Sequence, residues 1–401
     1  MSLANGRSYL AIPGPSVVPE AVLRAMHRAA PNIYTGELRE MMPGIISDLK
    51  RVARTEAHCA IYIANGHGIW EAALANILSP GDRLLVPATG RFAHGWSDIA
   101  RRLGAEVEIL DFGKRDPIDA ARVAEVLRAD TEHRIKALPV VYVDTSTGIR
   151  NDIAALRAAL DETGHPALLL ADCIASLACD PFEMDAWGVD VTIAASQKGL
   201  MTPPGIGFVW YNDRADAARE TAGCVTHYWD WRPRTDPDQL YLYFDGTAPT
   251  HHLYGLRTAL DMIHDEGLER VLVRHATLAR AIWAALDAWG QGGPLEVNMA
   301  DHGHRSHAVT AIRLGGDRAD RLRHWCEFTG GVTLGIGLGM AEPGSPEAGG
   351  FFRIGHMGHV NAHMVLGTLG VMQAGLLACD IPHGPGALDA AAAVCAAADP
   401  G

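Results

Sequence analysis

Two stretches of the chain put reactive side chains where a strand would end. Residues 191–208, VTIAASQKGLMTPPGIGF, open on the β-branched Val191, Thr192 and Ile193. They shrink to Ala194, Ala195 and Ser196, then deliver Gln197 and Lys198. A Pro203-Pro204-Gly205 turn leads to a returning strand over 206–211. Small residues before a lysine let a bulky group approach its amine, and a desolvated lysine loses proton affinity and becomes a nucleophile able to form a Schiff base. Taken alone, the segment also fits an ordinary lysine that closes a strand. The second stretch is the apolar run 167–171 (ALLLA), fit for a buried parallel strand and ending in Asp172. An acid at the carboxyl end of such a strand sits where α/β sheets bind ligands. Lysine and acid on neighbouring strand ends are what pyridoxal phosphate needs: the amine holds the aldehyde, and the carboxylate holds the proton on the pyridine nitrogen.

Other residues fit the same chemistry less specifically. The strand 60–64 runs into Asn65-Gly66-His67-Gly68 and a helix over 69–78. A glycine-flanked turn into a helix presents N–H groups at a positive helix end, which suits a phosphate, although many βα loops look the same. The glycines do not make a dinucleotide G-x-G-x-x-G pattern, since position 71 is Glu71. A nucleotide-binding α/β protein, with Lys198 only a salt-bridge partner, is thereby disfavoured. Arg353 stands among apolar residues in FFRIGHMG. A buried arginine is not left unpaired, and its planar fork matches a carboxylate, from a substrate or from a structural Asp or Glu. His302, His304 and His307 (DHGHRSH) lack the spaced Cys or acid partners of a zinc site and read as a polar loop.

The elements that must position these groups alternate. Strands are expected at 82–87, 106–111 and 137–143 besides those above, with helices over 38–55, 97–103, 119–128 and 152–161. That pattern from 60 to 211 implies a mostly parallel sheet with helices on both faces. Residues 213–237, with HYWDWRPRTD, read as a surface or interface excursion. Long helices follow over 253–266 and 268–289, and from about residue 292 the pattern becomes α+β. The expected organisation is an N-terminal arm (1–20) kept out of helix by its prolines, a large α/β domain (21–290) and a small C-terminal α+β domain (291–401). The Ala-, Gly- and Pro-rich tail after 382 is expected to pack loosely.

Several stretches together, NGHGIWEAAL, DTSTG, GHPALLLADCIASLACDPFEMDAWGVD, ASQKGLMTPPG, PTHHLYGLRTAL and FRIGHMG, resemble the class V aminotransferases of the aspartate-aminotransferase-like fold. The resemblance runs from AIPGP to FRIGHMG and is strongest to the serine–glyoxylate and alanine–glyoxylate enzymes. It implies transamination with pyridoxal 5′-phosphate, from a small amino acid such as serine or alanine to a 2-oxo acid such as glyoxylate or pyruvate. It assigns the catalytic pair Lys198 and Asp172, a phosphate cradle at Gly66, His67 and Gly68, and support for the phosphate from Gln197. Phe92 takes the place of the ring-stacking aromatic, although any isolated phenylalanine also fits a core. Thr145 falls near the cofactor's 3-oxygen, where a purely local Ser/Thr turn is an equal reading. Ile174 is among the cofactor-binding residues, Arg353 binds the substrate carboxylate, and Thr247 reaches the phosphate of a neighbouring subunit, with Tyr243 or Phe244 nearby, which makes a homodimer with shared active sites.

Related reactions are weighed on the same residues. Cysteine desulfurases carry histidines where this chain has Gln197 and Phe92. Pyridoxamine–pyruvate transaminase shares the RIGHMG-like end but needs no phosphate cradle, and aminoethylphosphonate transaminases are a third alternative. Composition excludes other classes. With 34 Lys and Arg against 47 Asp and Glu, the net charge is −13, unsuited to nucleic acid or an anionic membrane. No run reaches the ~18 apolar residues of a membrane span, and no apolar leader opens the chain. Seven scattered cysteines fit reduced thiols in a cytoplasm better than a disulfide framework.

Overall fold

The computed structural model describes residues 2–398. Its largest sheet has seven strands: β1 (His58–Tyr62), β2 (Arg83–Ala88), β3 (Glu106–Asp111), β4 (Ile135–Val141), β5 (Leu168–Asp172), β6 (Val191–Ala195) and β7 (Gly207–Tyr211). Their spatial order is β1-β7-β6-β5-β4-β2-β3. The pairs β2/β3, β2/β4, β4/β5 and β5/β6 are parallel, whereas β7 lies antiparallel to β6 and to β1. The central strands are buried throughout, which is why they read as continuous apolar runs rather than alternating ones. In this order β5 and β6 are neighbours, with Asp172 opposite Ile193. Asp172 and Lys198 therefore leave the same edge of the sheet side by side. Helices cover both faces, and two apolar clusters, one against each face, fill the layers.

A second sheet of five strands has Phe351–Gly355 at its centre, paired antiparallel with Val309–Arg313 on one side and with Val332–Ile336 on the other. Glu296–Val297 and Tyr9–Ala11 form its edges. The arm, expected as loop, thus contributes a short strand that pairs parallel with Val332–Leu334. This sheet packs on Ala362–Ala378 and on the C-terminal half of Leu268–Gly290 around Trp289, Leu322, Phe352 and Leu369. The 23-residue helix Leu268–Gly290 serves both layers: Val271 lies in the core under the large sheet, and Leu278 to Trp289 lie in the core of the small one.

Two further expectations are corrected. The tail forms the helix Ala387–Ala396, which buries Ala387 and Ala391 against Leu268–Gly290. Alanine's small side chain and strong helix preference permit that close approach, so the composition marked a helix rather than a loose end. The excursion after β7 is also not superficial. Trp231 is fully buried and stacks on Tyr211 at 4.1 Å. Arg234 is buried with it, and its guanidinium donates to the carbonyls of Tyr228 and Tyr243.

Candidate active site

A cavity of about 210 Å³ opens at the carboxyl ends of β4, β5 and β6. Its walls include Gly66, His67, Trp70, Phe92, Thr145, Asp172, Ile174, Gln197 and Lys198. Eight of the eleven residues singled out in the sequence therefore meet in one place. Gly68, Thr247 and Arg353 do not line it. The Gly68 amide is taken by the Asn65 side chain, which caps the helix Gly66–Ala75. Thr247 is exposed and away from this cavity. Arg353 reaches the site from the small sheet, and its Nη1 donates to the Thr145 carbonyl at 2.9 Å.

Each wall has a local origin. Asn65 caps a ten-residue helix whose first N–H groups, at Gly66 and His67, have no backbone acceptor within the described residues and face the cavity. They form the positive end that an anion requires. The His67 imidazole is exposed, and partial burial followed by repulsion from Arg91 lowers its pKa, which favours the neutral ring. Gln197 follows β6, and its Oε1 is buried without a hydrogen-bond partner among the described residues. An orphaned acceptor on a cavity wall leaves room for a donor from a bound group.

Asp172 is the most perturbed acid of the site. Burial raises its pKa from an ordinary 3.8 to about 7, against the opposing influence of two donors. The Ile174 amide donates to Oδ1 at 2.8 Å, and Trp70 Nε1 donates to Oδ2 at 2.7 Å. Both carboxyl oxygens are thus fixed before any ligand arrives, with the acid poised to grip a cationic ring nitrogen. Burial and then the Arg353 charge lower Lys198 from 10.5 to about 8, so a minority of its amines, about one in ten, are neutral at pH 7 where an ordinary lysine has almost none. The ammonium form donates to the Pro13 carbonyl, and the arm is tied to the same turn by Ser16, whose N–H meets the Gln197 carbonyl and whose hydroxyl meets the Lys198 carbonyl.

Arg353 is buried, and burial brings its pKa down to about 10. Its Nε donates to the Ile336 carbonyl and its Nη1 to Thr145. Among the described residues no carboxylate pairs with it, so the structural salt bridge left open by the sequence does not form. A buried cation with both held nitrogens on carbonyls keeps Nη2 for an incoming anion.

Sequence reasoning missed Trp70, the arm residues Pro13 and Ser16, and Asp144. Trp70 lay within NGHGIWEAAL, where an indole N–H one helical turn after Gly66 was the available signal. The three histidines of DHGHRSH disperse: His304 Nδ1 donates to the Arg150 carbonyl, His302 lies near Asp287, and His307 lies near Asp180.

A nucleophilic lysine, a raised acid held by two donors, an anion-ready helix end and an orphaned acceptor around one cavity fit pyridoxal phosphate and define a pyridoxal phosphate enzyme of the aspartate-aminotransferase-like fold. Comparison narrows the class. Residues 8–345 match the family model "Aminotransferase class-V". The chain is 37% identical over 396 residues to a serine–glyoxylate aminotransferase of Methylorubrum extorquens, covering 96% of this chain and 95% of that one. It is 35% identical to an L-aspartate–glyoxylate aminotransferase of Paracoccus denitrificans, covering 92% and 91%. A ureidoglycine–glyoxylate aminotransferase from Bacillus subtilis superposes with a TM-score of 0.84 at 25% identity, covering 98% and 99%. This chain belongs to the class V aminotransferases, which use pyridoxal phosphate.

Proposed function

We propose that the protein transfers an amino group from a small amino acid, serine or alanine, to glyoxylate or pyruvate. The observation that carries this reading is Arg353, buried beside Lys198 with no acidic partner among the described residues. An α-carboxylate is the anion that this position takes. The three relatives described above differ in donor but share glyoxylate in their names, which supports it as acceptor.

Bound pyridoxal phosphate supplies an aldehyde to carry the amino group and a ring that accepts electrons. Gly66 and His67 N–H groups, with the amide N–H of Gln197, would hold its phosphate, and Phe92 and Ile174 would supply apolar walls. Asp172 keeps a proton at the ring nitrogen, made possible by the geometry that Trp70 and the Ile174 amide impose. Arg353 fixes the carboxylate of the amino acid and so aims its α-carbon. Lys198 Nζ takes the α-proton and later returns one, a task suited to an amine at about 8 rather than the ordinary 10.5. A pyridoxamine–pyruvate reaction needs no phosphate anchor, and the unpartnered helix end argues for the phosphorylated cofactor as resident.

A homodimer with shared sites accompanies this reading, with Thr247 of one protomer serving the phosphate site of the other; its exposure is compatible with that role. Seven free thiols support a cytoplasmic setting, and among the described residues no helix is long and apolar enough to cross a membrane. The test is a panel of serine, alanine, aspartate and pyridoxamine, each mixed with the pyridoxal-phosphate-loaded protein and followed by absorbance, then glyoxylate or pyruvate. Serine or alanine should discharge the aldehyde and glyoxylate should restore it. Conversion by pyridoxamine alone would defeat the proposal.

A further inference from the structure

The acid that precedes Thr145 does not touch the cavity, yet it is fully buried and fully engaged. Asp144 Oδ2 accepts from the Phe92 backbone N–H at 2.9 Å. Its Oδ1 accepts from the Ser146 N–H at 2.9 Å and from the Ser146 hydroxyl. That hydroxyl in turn accepts from the Arg91 N–H at 3.1 Å. Arg91 and Phe92 are the first two residues of the helix Arg91–Arg102, and Gly90, its own cap position, provides no side chain for them. The turn 144–146 therefore caps this helix from 52 residues away in sequence. A Cβ at Gly90 would lie 2.5 Å from the Asp144 carboxyl carbon, so glycine there is what lets the acid in. Between the two capping residues stands Thr145, which lines the cavity and whose carbonyl holds Arg353.

We propose that Asp144 is a positioning residue: it anchors the backbone of Phe92, fixing that ring against the cofactor in register with the turn that orients Arg353. The aromatic wall and the carboxylate clamp come from different sheets, and this one carboxylate ties the first to the turn that holds the second. An asparagine cannot replace it, because its single acceptor oxygen would leave an amide N–H pointing at a backbone N–H donor.

This inference rests on the transaminase reading, and it is tested on the pyridoxal-phosphate-loaded protein with Asp144→Asn, Phe92→Ala and the double variant. The two readouts are half-reaction kcat/KM and the visible circular dichroism of the bound cofactor, which reports how the ring is held. Asp144→Asn is expected to lower kcat/KM by about 10- to 100-fold, the scale of one lost buried hydrogen bond to a charged group. It should also shift the dichroism toward that of Phe92→Ala. The double variant should lose clearly less than the product of the two single losses, because the Phe92 anchor is common to both. Losses that multiply fully, or an Asp144→Asn enzyme within about threefold of the parent with unchanged dichroism, overturn the proposal. Should Asp144→Asn fail to fold, Gly90→Ala decides: its Cβ would lie 2.5 Å from the Asp144 carboxyl carbon and pushes the acid off the Phe92 N–H, and a loss of about 3- to 10-fold with altered dichroism is expected. Unchanged values for Gly90→Ala overturn the proposal. The dichroism needs no competent donor, so a protein that binds the cofactor but transaminates nothing would sink the function while this comparison still stands.

Discussion

Replacing Asp172 by asparagine should remove a pH dependence from the stability of the cofactor-free protein. Burial brings this carboxyl from an ordinary 3.8 to about 7. The folded chain therefore binds a proton that the unfolded chain has already released. Stability changes with pH in proportion to protons bound unfolded minus protons bound folded, which here is negative. The contribution is thus intact below about pH 4 and is lost as pH climbs to about 7. At about 1.36 kcal/mol per tenfold, the interval is worth ~4 kcal/mol. Asp172 is only 4% exposed, so solvent screening takes little from that figure. The asparagine side chain cannot titrate. It also places an amide N–H against Trp70 Nε1–H, which costs a constant amount at every pH, and the slope is separate from that offset. The assay is urea unfolding of the two cofactor-free proteins between about pH 4 and 7.5, scored as the difference in unfolding free energy. That difference should move by several kcal/mol in favour of the variant as pH rises. A pH-independent difference would refute the reasoning, since it would mean that Asp172 ionises like an exposed acid.

Four other outcomes follow from the same geometry. Trp70→Phe removes the 2.7 Å donor to Asp172 and should push that carboxyl higher, by ~1–2 kcal/mol of lost charge-assisted bonding, seen as a raised apparent pKa in the pH profile of cofactor uptake. Arg353→Lys keeps the charge but not the fork and should lower kcat/KM for the amino donor by roughly 10- to 100-fold, most of it in KM; a variant within about twofold of the parent would remove the clamp from the account. Gly66→Ala places a Cβ 2.8 Å from Ile174 Cδ1 and should weaken pyridoxal phosphate binding by roughly tenfold in a titration of the cofactor-free protein. The rate at which the cofactor-free protein takes up pyridoxal phosphate as a reducible imine should rise through about pH 8, where Lys198 loses its proton, and level off above it.

That Lys198 and Asp172 would meet was legible because each closes an apolar run. LLLAD and VTIAASQK are strand sequences whose final polar residue has no place in the core, and parallel order puts both at one edge. Phe92, Thr145 and Ile174 were placed by family likeness, since an isolated aromatic, a threonine turn or an isoleucine carries no chemistry in its own spacing. Trp70 and Asp144 stayed hidden for another reason. Their work is done on partners 102 and 52 residues away, and a tryptophan inside a buried helix or an acid at a turn has a sufficient local explanation. The arm shows the same limit. Proline and glycine correctly barred a helix, but the strand Tyr9–Ala11 exists only because Val332–Leu334 offers it an edge. The excursion after β7 looked superficial from its charge, whereas Trp231 and Arg234 are held by stacking and carbonyl contacts that composition does not display.

The proposed chemistry requires the cofactor on one particular amine. Besides Lys198 the chain has Lys50, Lys114 and Lys136. Loading the protein with pyridoxal phosphate, reducing it with borohydride and mapping the modified peptide by mass spectrometry distinguishes them in one experiment. The label is expected on Lys198 alone, and absent from Lys198→Ala. A label on any of the other three, or a protein that takes none, would contradict the site described here.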